Sequence, residues 1–145
     1  MTEPDPALSL CFVDTNVWLY AFIAGPDVAK SERARQLLSD NEHSLVISSQ
    51  VINEICVNLL KKAHMPEAEV QQLIHSFYQK YPVVLLDQAV QIGASRLRER
   101  FSLSFWDSLI LAAAIHCGAT ILYSEDMQAG LKADEGLTIQ NPFSS

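Results

Sequence analysis

Apolar residues run through this chain in two alternating rhythms. Short, nearly continuous apolar stretches occur at 9–13 (SLCFV), 44–47 (SLVI), 83–86 (VVLL), 119–123 (ATILY) and 137–140 (LTIQ), each bounded by turn or cap residues. Runs of that length and composition predict strands. Between them the apolar positions recur at helical spacing. A helix starts near Thr15, and 28–39 place Ala34, Leu37 and Leu38 on one face. Residues 51–62 repeat apolar positions at Val51, Ile55 and Leu59 and again at Ile52, Cys56 and Leu60. A further helix opens at Pro66, which suits a first turn, carries Val70, Leu73, Ile74 and Phe77, and is ended by Pro82. Another covers about 88–100. The last, 105–117, is apolar nearly all round, which predicts the most buried helix, with Gly118 at its C-cap.

Strands that alternate with helices and are themselves continuously apolar predict an α/β fold: a mainly parallel five-stranded sheet covered by helices on both faces, three layers in a single domain over 1–145. The Pro-containing first seven residues and the tail NPFSS are expected to be loose ends.

Composition narrows the function. With 49% hydrophobic and 19% charged residues, the 145-residue chain has the makings of one well-formed core. No stretch approaches the roughly 18 apolar residues of a membrane span, and the start MTEPDPALS has acids and prolines where a secretory signal carries basic residues. A cytoplasmic protein with no membrane partner is expected. Cys11, Cys56 and Cys117 lie in apolar stretches with no C-x-x-C spacing and read as reduced core thiols; the four histidines share no metal-ligand spacing. A net charge of −7 argues against a general nucleic-acid coat but leaves room for a local basic groove.

Four carboxylates then stand out by position. In open α/β sheets, ligand sites collect outside the carboxyl ends of the strands. Asp14 ends the first predicted strand, Glu54 sits early in the helix after the second, Asp107 lies in the first turn of the apolar helix, and Asp126 belongs to SED (124–126) after the fourth. Each also has a local explanation. Asp14 can cap the helix near Thr15, Glu54 can be a solvated residue beside Asn58, and Asp126 and Glu125 can be turn residues. Asp107 has the firmest one, because SFWD (104–107) is an S-x-x-D capping pattern before an apolar run. Asp87, before another helix, reads as a cap.

The segments VDTNVWLYAF, SSQVINEI, LSFWDSLILAAAI and ILYSEDM, in that order, resemble the four acidic segments of PIN-domain ribonucleases, and the likeness extends to the final NPF. As a chain with no added module, it looks most like the VapC-type toxins of prokaryotic toxin–antitoxin pairs. The resemblance implies a PIN-like fold, a metal-dependent endoribonuclease acting on RNA, and Asp14, Glu54, Asp107 and Asp126 as the acidic cluster. It implies a small antitoxin partner too, with a homodimer expected because the helices at 51–62 and 66–80 leave apolar positions one small domain does not fully cover. Ser124 matches the small residue two before the last acid and is expected to support a metal-bound water, with Asn16 as a further support. The adjacent pair Glu125 and Asp126 leaves the fourth ligand open, with the S-x-D pattern favouring Asp126.

The chemistry is intelligible from the residues alone. Carboxylates held together repel at neutral pH unless their pKa values rise or a hard cation joins them, and an oxygen-only donor set suits magnesium or manganese. Asp14 and Asp107 are assigned as main ligands, Asp126 as ligand to a second or water-bridged ion, and Glu54 as a ligand or the orienter of the attacking water. Lys30, Arg33 and Arg35, or Arg96, Arg98 and Arg100, are candidates to hold RNA phosphates, or form a solvated face with Glu32 and Glu99. Trp18, Tyr20 and Phe22 read as core or dimer contacts. Competing classes are a phosphoacceptor receiver domain, which lacks its acidic pair and late lysine here; a haloacid-type phosphatase, which finds Asn16 where its second Asp belongs; and a PIN-fold protein that only binds a partner.

Overall fold

The computed structural model describes residues 9–23, 25–133 and 136–144, so the expectation for the first seven residues lies outside the described residues. Five strands form one sheet: β1 (Cys11–Val13), β2 (Leu45–Ser48), β3 (Val83–Val84), β4 (Ile121–Tyr123) and β5 (Thr138–Gln140). Their order is β3-β2-β1-β4-β5 and every pairing is parallel. Around the sheet lie α1 (Thr15–Phe22), α2 (Val28–Asp40), α3 (Ser49–Lys62), α4 (Glu67–Lys80), α5 (Gln88–Arg100) and α6 (Phe105–His116). The chain winds from β1 outward to β3, then crosses back to β4 and continues to β5. Right-handed crossovers therefore carry α1 to α4 on one face and α5 with α6 on the other, giving three α/β/α layers.

Side-chain caps set most helix starts. Asp27, Ser48, Asp87 and Ser104 each accept a hydrogen bond from the backbone N–H three residues on. Capped by Ser48, α3 begins at Ser49, two residues before the apolar repeat that predicted it. Pro66 is itself the N-cap residue of α4, one position earlier than a first-turn proline. Gly118 follows α6 at φ 77°, a left-handed conformation that favours glycine.

The third predicted strand is cut from 83–86 to Val83–Val84. As an edge strand, β3 can pair only with β2, and β2 ends at Ser48 where α3 begins, so nothing remains for Leu85 and Leu86 to pair with. Among the described residues no helix is long and apolar enough to cross a membrane. Cys11 and Cys56 are buried free thiols and Cys117 is half-buried.

The central strand is wholly buried, with Phe12 and Val13 at 0% exposure, and α6 is buried continuously from Ser108 to Ala114. Trp18 fastens α1 to this core. Its ring packs edge-on against Phe77 at 5.4 Å and Tyr81 at 5.8 Å, and its Nε1 donates to the Val13 carbonyl at 3.1 Å. Replacing it removes a large buried ring and one hydrogen bond. Trp18→Ala is expected to lower the unfolding free energy by about 3–5 kcal/mol in urea titrations; a loss below about 1 kcal/mol would show that α1 is held by other contacts.

Candidate active site

The winding direction of the sheet reverses between β1 and β4, and the residues that follow those two strands face the opening this leaves. Asp14 follows β1, and its backbone N–H continues the ladder to the Tyr123 carbonyl at 2.9 Å. Its side chain is 5% exposed. One carboxylate oxygen accepts from the Thr15 backbone N–H and the other from Ser124 Oγ, both at 2.7 Å. Asp14 is thus the N-cap of α1 as well as a member of the cleft.

A cleft of about 530 Å³ opens beside it, and Glu54, Asp107 and Asp126 lie on its walls with Asp14. The four acids come from four segments: the ends of β1 and β4, the second turn of α3 and the first turn of α6. Glu54 accepts from Thr15 Oγ1 at 2.7 Å. Gln50, one turn earlier on α3, donates through Nε2 to Glu54 Oε2 at 3.5 Å and to the Trp106 carbonyl at 3.3 Å. Asn16 Nδ2 donates to Asp126 Oδ2. The capping bond at α6 is made by the backbone N–H of Asp107, which donates to Ser104 Oγ at 3.0 Å.

Glu125 points the other way. It accepts from Tyr20 Oη at 2.8 Å and pairs with Lys30, whose ammonium also lies over the Tyr20 and Phe143 rings. Of the adjacent acids, Asp126 lies on the cleft and Glu125 ties α2 to the end of β4. Ser124, expected beside a water, is fully buried; its hydroxyl donates to Asp14 and accepts from the Met127 N–H at 3.1 Å. It acts on the carboxylate directly. The contacts of Thr15 and Gln50 with Glu54 were not read from the sequence, although the i, i+4 spacing of Gln50 and Glu54 is a visible signal.

The basic candidates divide. Lys30 is engaged with Glu125, Arg33 Nε donates to the Pro142 carbonyl at 3.2 Å, and Arg98 donates to Ser108 Oγ at 2.6 Å. Arg96 and Arg100 line a separate groove between α5 and α6, and Arg100 also reaches a cleft adjoining the acids. Trp18 is core, Tyr20 is half-buried, and Phe22 is 42% exposed.

The PIN domain family matches residues 11–132, a span that contains all four acids. The chain belongs to the PIN domain family. Among solved structures, this PIN domain is similar in fold to a toxin–antitoxin complex from Klebsiella pneumoniae, with TM-score 0.70 and 22% identity over 94% of this chain and 100% of that one. DNA-bound VapBC from Salmonella typhimurium follows at TM-score 0.66 and 16% identity, covering 92% and 98%. VapC20 from Mycobacterium tuberculosis, described as a sarcin–ricin loop cleaving toxin, has TM-score 0.67 and 22% identity, covering 80% and 89%. No curated protein sequence matches the chain.

The donor set of this PIN domain fits a hard divalent cation. All four side chains offer oxygen, and Gln50 adds a buried Oε1 with no hydrogen-bond partner among the described residues. No three His, Cys, Asp or Glu side chains among the described residues converge closely enough to enclose an ion by themselves. The fit is therefore to a cation that takes one or two carboxylates and completes its shell with water and substrate, the usual way magnesium is held.

Burial pushes the Asp14 carboxyl up to about 6, with the nearby charges of Asp107 and Glu54 adding to it against the hydrogen bonds from Ser124 and Thr15. A raised carboxyl means that the folded state holds this proton more tightly than the unfolded chain. Its contribution to stability is full below the unfolded value of 3.8 and is lost as pH rises through about 6. In EDTA, Asp14→Asn should therefore gain on wild type by roughly 2–3 kcal/mol between pH 4 and pH 7, with little further change above. A stability difference that stays flat across that window would remove the buried, charge-crowded description of Asp14.

Proposed function

We propose that this PIN domain is an endoribonuclease that hydrolyses RNA phosphodiester bonds with magnesium or manganese, and that it is the toxin of a toxin–antitoxin pair. One observation carries the reading: four carboxylates from four separate segments line a single cleft at the switch point of a parallel sheet. A cation bound there supplies Lewis-acid polarisation of a phosphodiester and acidifies water. Asp14 and Asp107 are the residues that would hold it, and Asp126, hydrogen-bonded by Asn16, would serve a second or water-bridged ion. Glu54 has one oxygen fixed by Thr15, which leaves it oriented to accept a proton from an attacking water. Ser124 keeps Asp14 in one rotamer. The chemistry needs no covalent bond between enzyme and RNA.

A cleft of about 480 Å³ between α1, α2 and α4 supports the partner half of the reading. Its floor is Trp18, Phe22, Phe77 and Tyr81, and Arg35, Glu42 and Lys80 stand at its rim. An apolar floor with a charged rim suits an amphipathic segment of a small antitoxin. The homodimer belongs to the same proposal and is supported by exposed apolar side chains on α3 and α4, Val57 and Tyr78.

Purified protein incubated with total cellular RNA is expected to cut it in magnesium or manganese and not in EDTA. Asp14→Asn and Asp107→Asn should each lose at least about two orders of magnitude of activity, the scale of removing a main electrostatic element. In unfolding experiments wild type should gain about 2.7 kcal/mol at a hundredfold excess of manganese over its Kd, and Asp107→Asn much less. Near-wild-type cleavage in both variants would remove these acids from the reaction; no cleavage by wild type in either metal would leave a PIN domain that only binds a partner, the reading that the shared cleft of four acids speaks against. Cells expressing the chain alone should stop growing, and sedimentation at micromolar concentration should find a dimer; unaffected growth together with a monomer would remove the toxin and dimer assignments.

A further inference from the structure

The two ends of the acidic cleft differ in chemistry. On one side the wall is aromatic. Trp106 is 60% exposed although it sits at the start of α6, the most buried helix in the fold. Gln50 Nε2 donates to its backbone carbonyl, and Phe105 packs edge-on against its ring at 5.3 Å. Arg98, itself fixed by Ser108, lies 4.6 Å from the centre of the Phe105 ring and puts positive charge behind the pair. On the other side a second cleft, of about 440 Å³, shares Asp107 and Asp126 with the first and is lined by Arg100, Ser102, Ser104 and Gln128. Asp107 and Asp126 are thus common to a cleft lined by Trp106 and a cleft lined by Arg100.

We propose that an unpaired RNA strand crosses both clefts, with a base on one side of the scissile phosphate stacked on Trp106 and a phosphate on the other side held by Arg100. This deepens the ribonuclease reading and rests on it. An indole on a cleft wall offers a flat face to any base, and Arg98 and Arg100 offset part of the repulsion between a polyanion and four carboxylates. A duplex keeps its base faces stacked inside the helix and cannot present one to Trp106, so the site selects single-stranded segments.

The emission of Trp106 reports the contact, because the chain has two tryptophans and the other, Trp18, is 2% exposed. The measurement is titration of Asp14→Asn in magnesium with a ten-nucleotide single-stranded RNA of mixed sequence and with the matching duplex. Single-stranded RNA is expected to quench the emission and the duplex to bind more weakly with little quench. Trp106→Ala should weaken single-strand binding about tenfold or more, Trp106→Phe should recover most of it, and Arg100→Ala should reduce the dependence of log affinity on log salt by about 0.7. The Phe variant keeps the test open should the Ala variant fold poorly. No binding, or equal binding and quenching by the duplex, overturns the proposal. So does an emission change that follows protein concentration without RNA and disappears with a dimer in sedimentation, which would make Trp106 a contact between copies. Wild-type cleavage of RNA with KM and emission indifferent to position 106 overturns this inference and leaves the nuclease standing; quenching by RNA in a wild type that cuts nothing upholds the inference and removes the nuclease.

Discussion

The hydrogen bond from Ser124 to Asp14 joins the ends of two neighbouring strands at the place where the sheet changes direction. A carboxylate this buried is costly unless it is bonded, and here both oxygens are occupied by donors that belong to different segments. The bond therefore needs the parallel register of β1 and β4, which aligns Val13 with Tyr123 and leaves Asp14 and Ser124 side by side. Slide that register by one residue and the side chains change faces, so the serine could no longer meet the aspartate.

From that anchor the other acids are placed by consecutive residues. Asp14, Thr15 and Asn16 occupy the start of α1; Asp14 is an acid of the cleft, Thr15 holds Glu54 and Asn16 holds Asp126. Trp18 locks the same turn to the core from the other side. One helical turn thus gathers chain from α3 and from the end of β4, and a shift of α1 would disturb three carboxylates together. Glu125 completes the arrangement by pointing away, where Lys30 and Tyr20 hold it.

Periodicity made the layers legible because strands and helices in this fold bury whole faces, as the continuous burial of β1 and of α6 shows. The places where it misled are places where pairing, not hydrophobicity, decides: VVLL is as apolar as a strand of four, but its only neighbour ends at Ser48. The positions of the acids were legible from topology, since residues after parallel strands share one edge. The supports were less so. Which of two adjacent acids turns to the cleft depends on partners about a hundred residues away, Asn16 for one and Tyr20 with Lys30 for the other, and no local pattern carries that information.

Capping and chemistry also stop being rival explanations once the bonds are assigned atom by atom. At α1 the Asp14 carboxylate does both, capping through one oxygen and receiving Ser124 on the other. At α6 the two jobs are divided. Ser104 supplies the side-chain oxygen and Asp107 contributes only its backbone N–H, which any residue at that position would offer. The S-x-x-D pattern therefore explains Ser104 and leaves the Asp107 carboxylate unexplained by capping. An acid in a first turn gains something from the helix dipole, typically 0.3–1 kcal/mol, but that gain is open to any exposed acid there. It says nothing about why this one stands in a cleft with three others, where like charges oppose it. In the proposed nuclease, a cation bound in the cleft would offset that opposition.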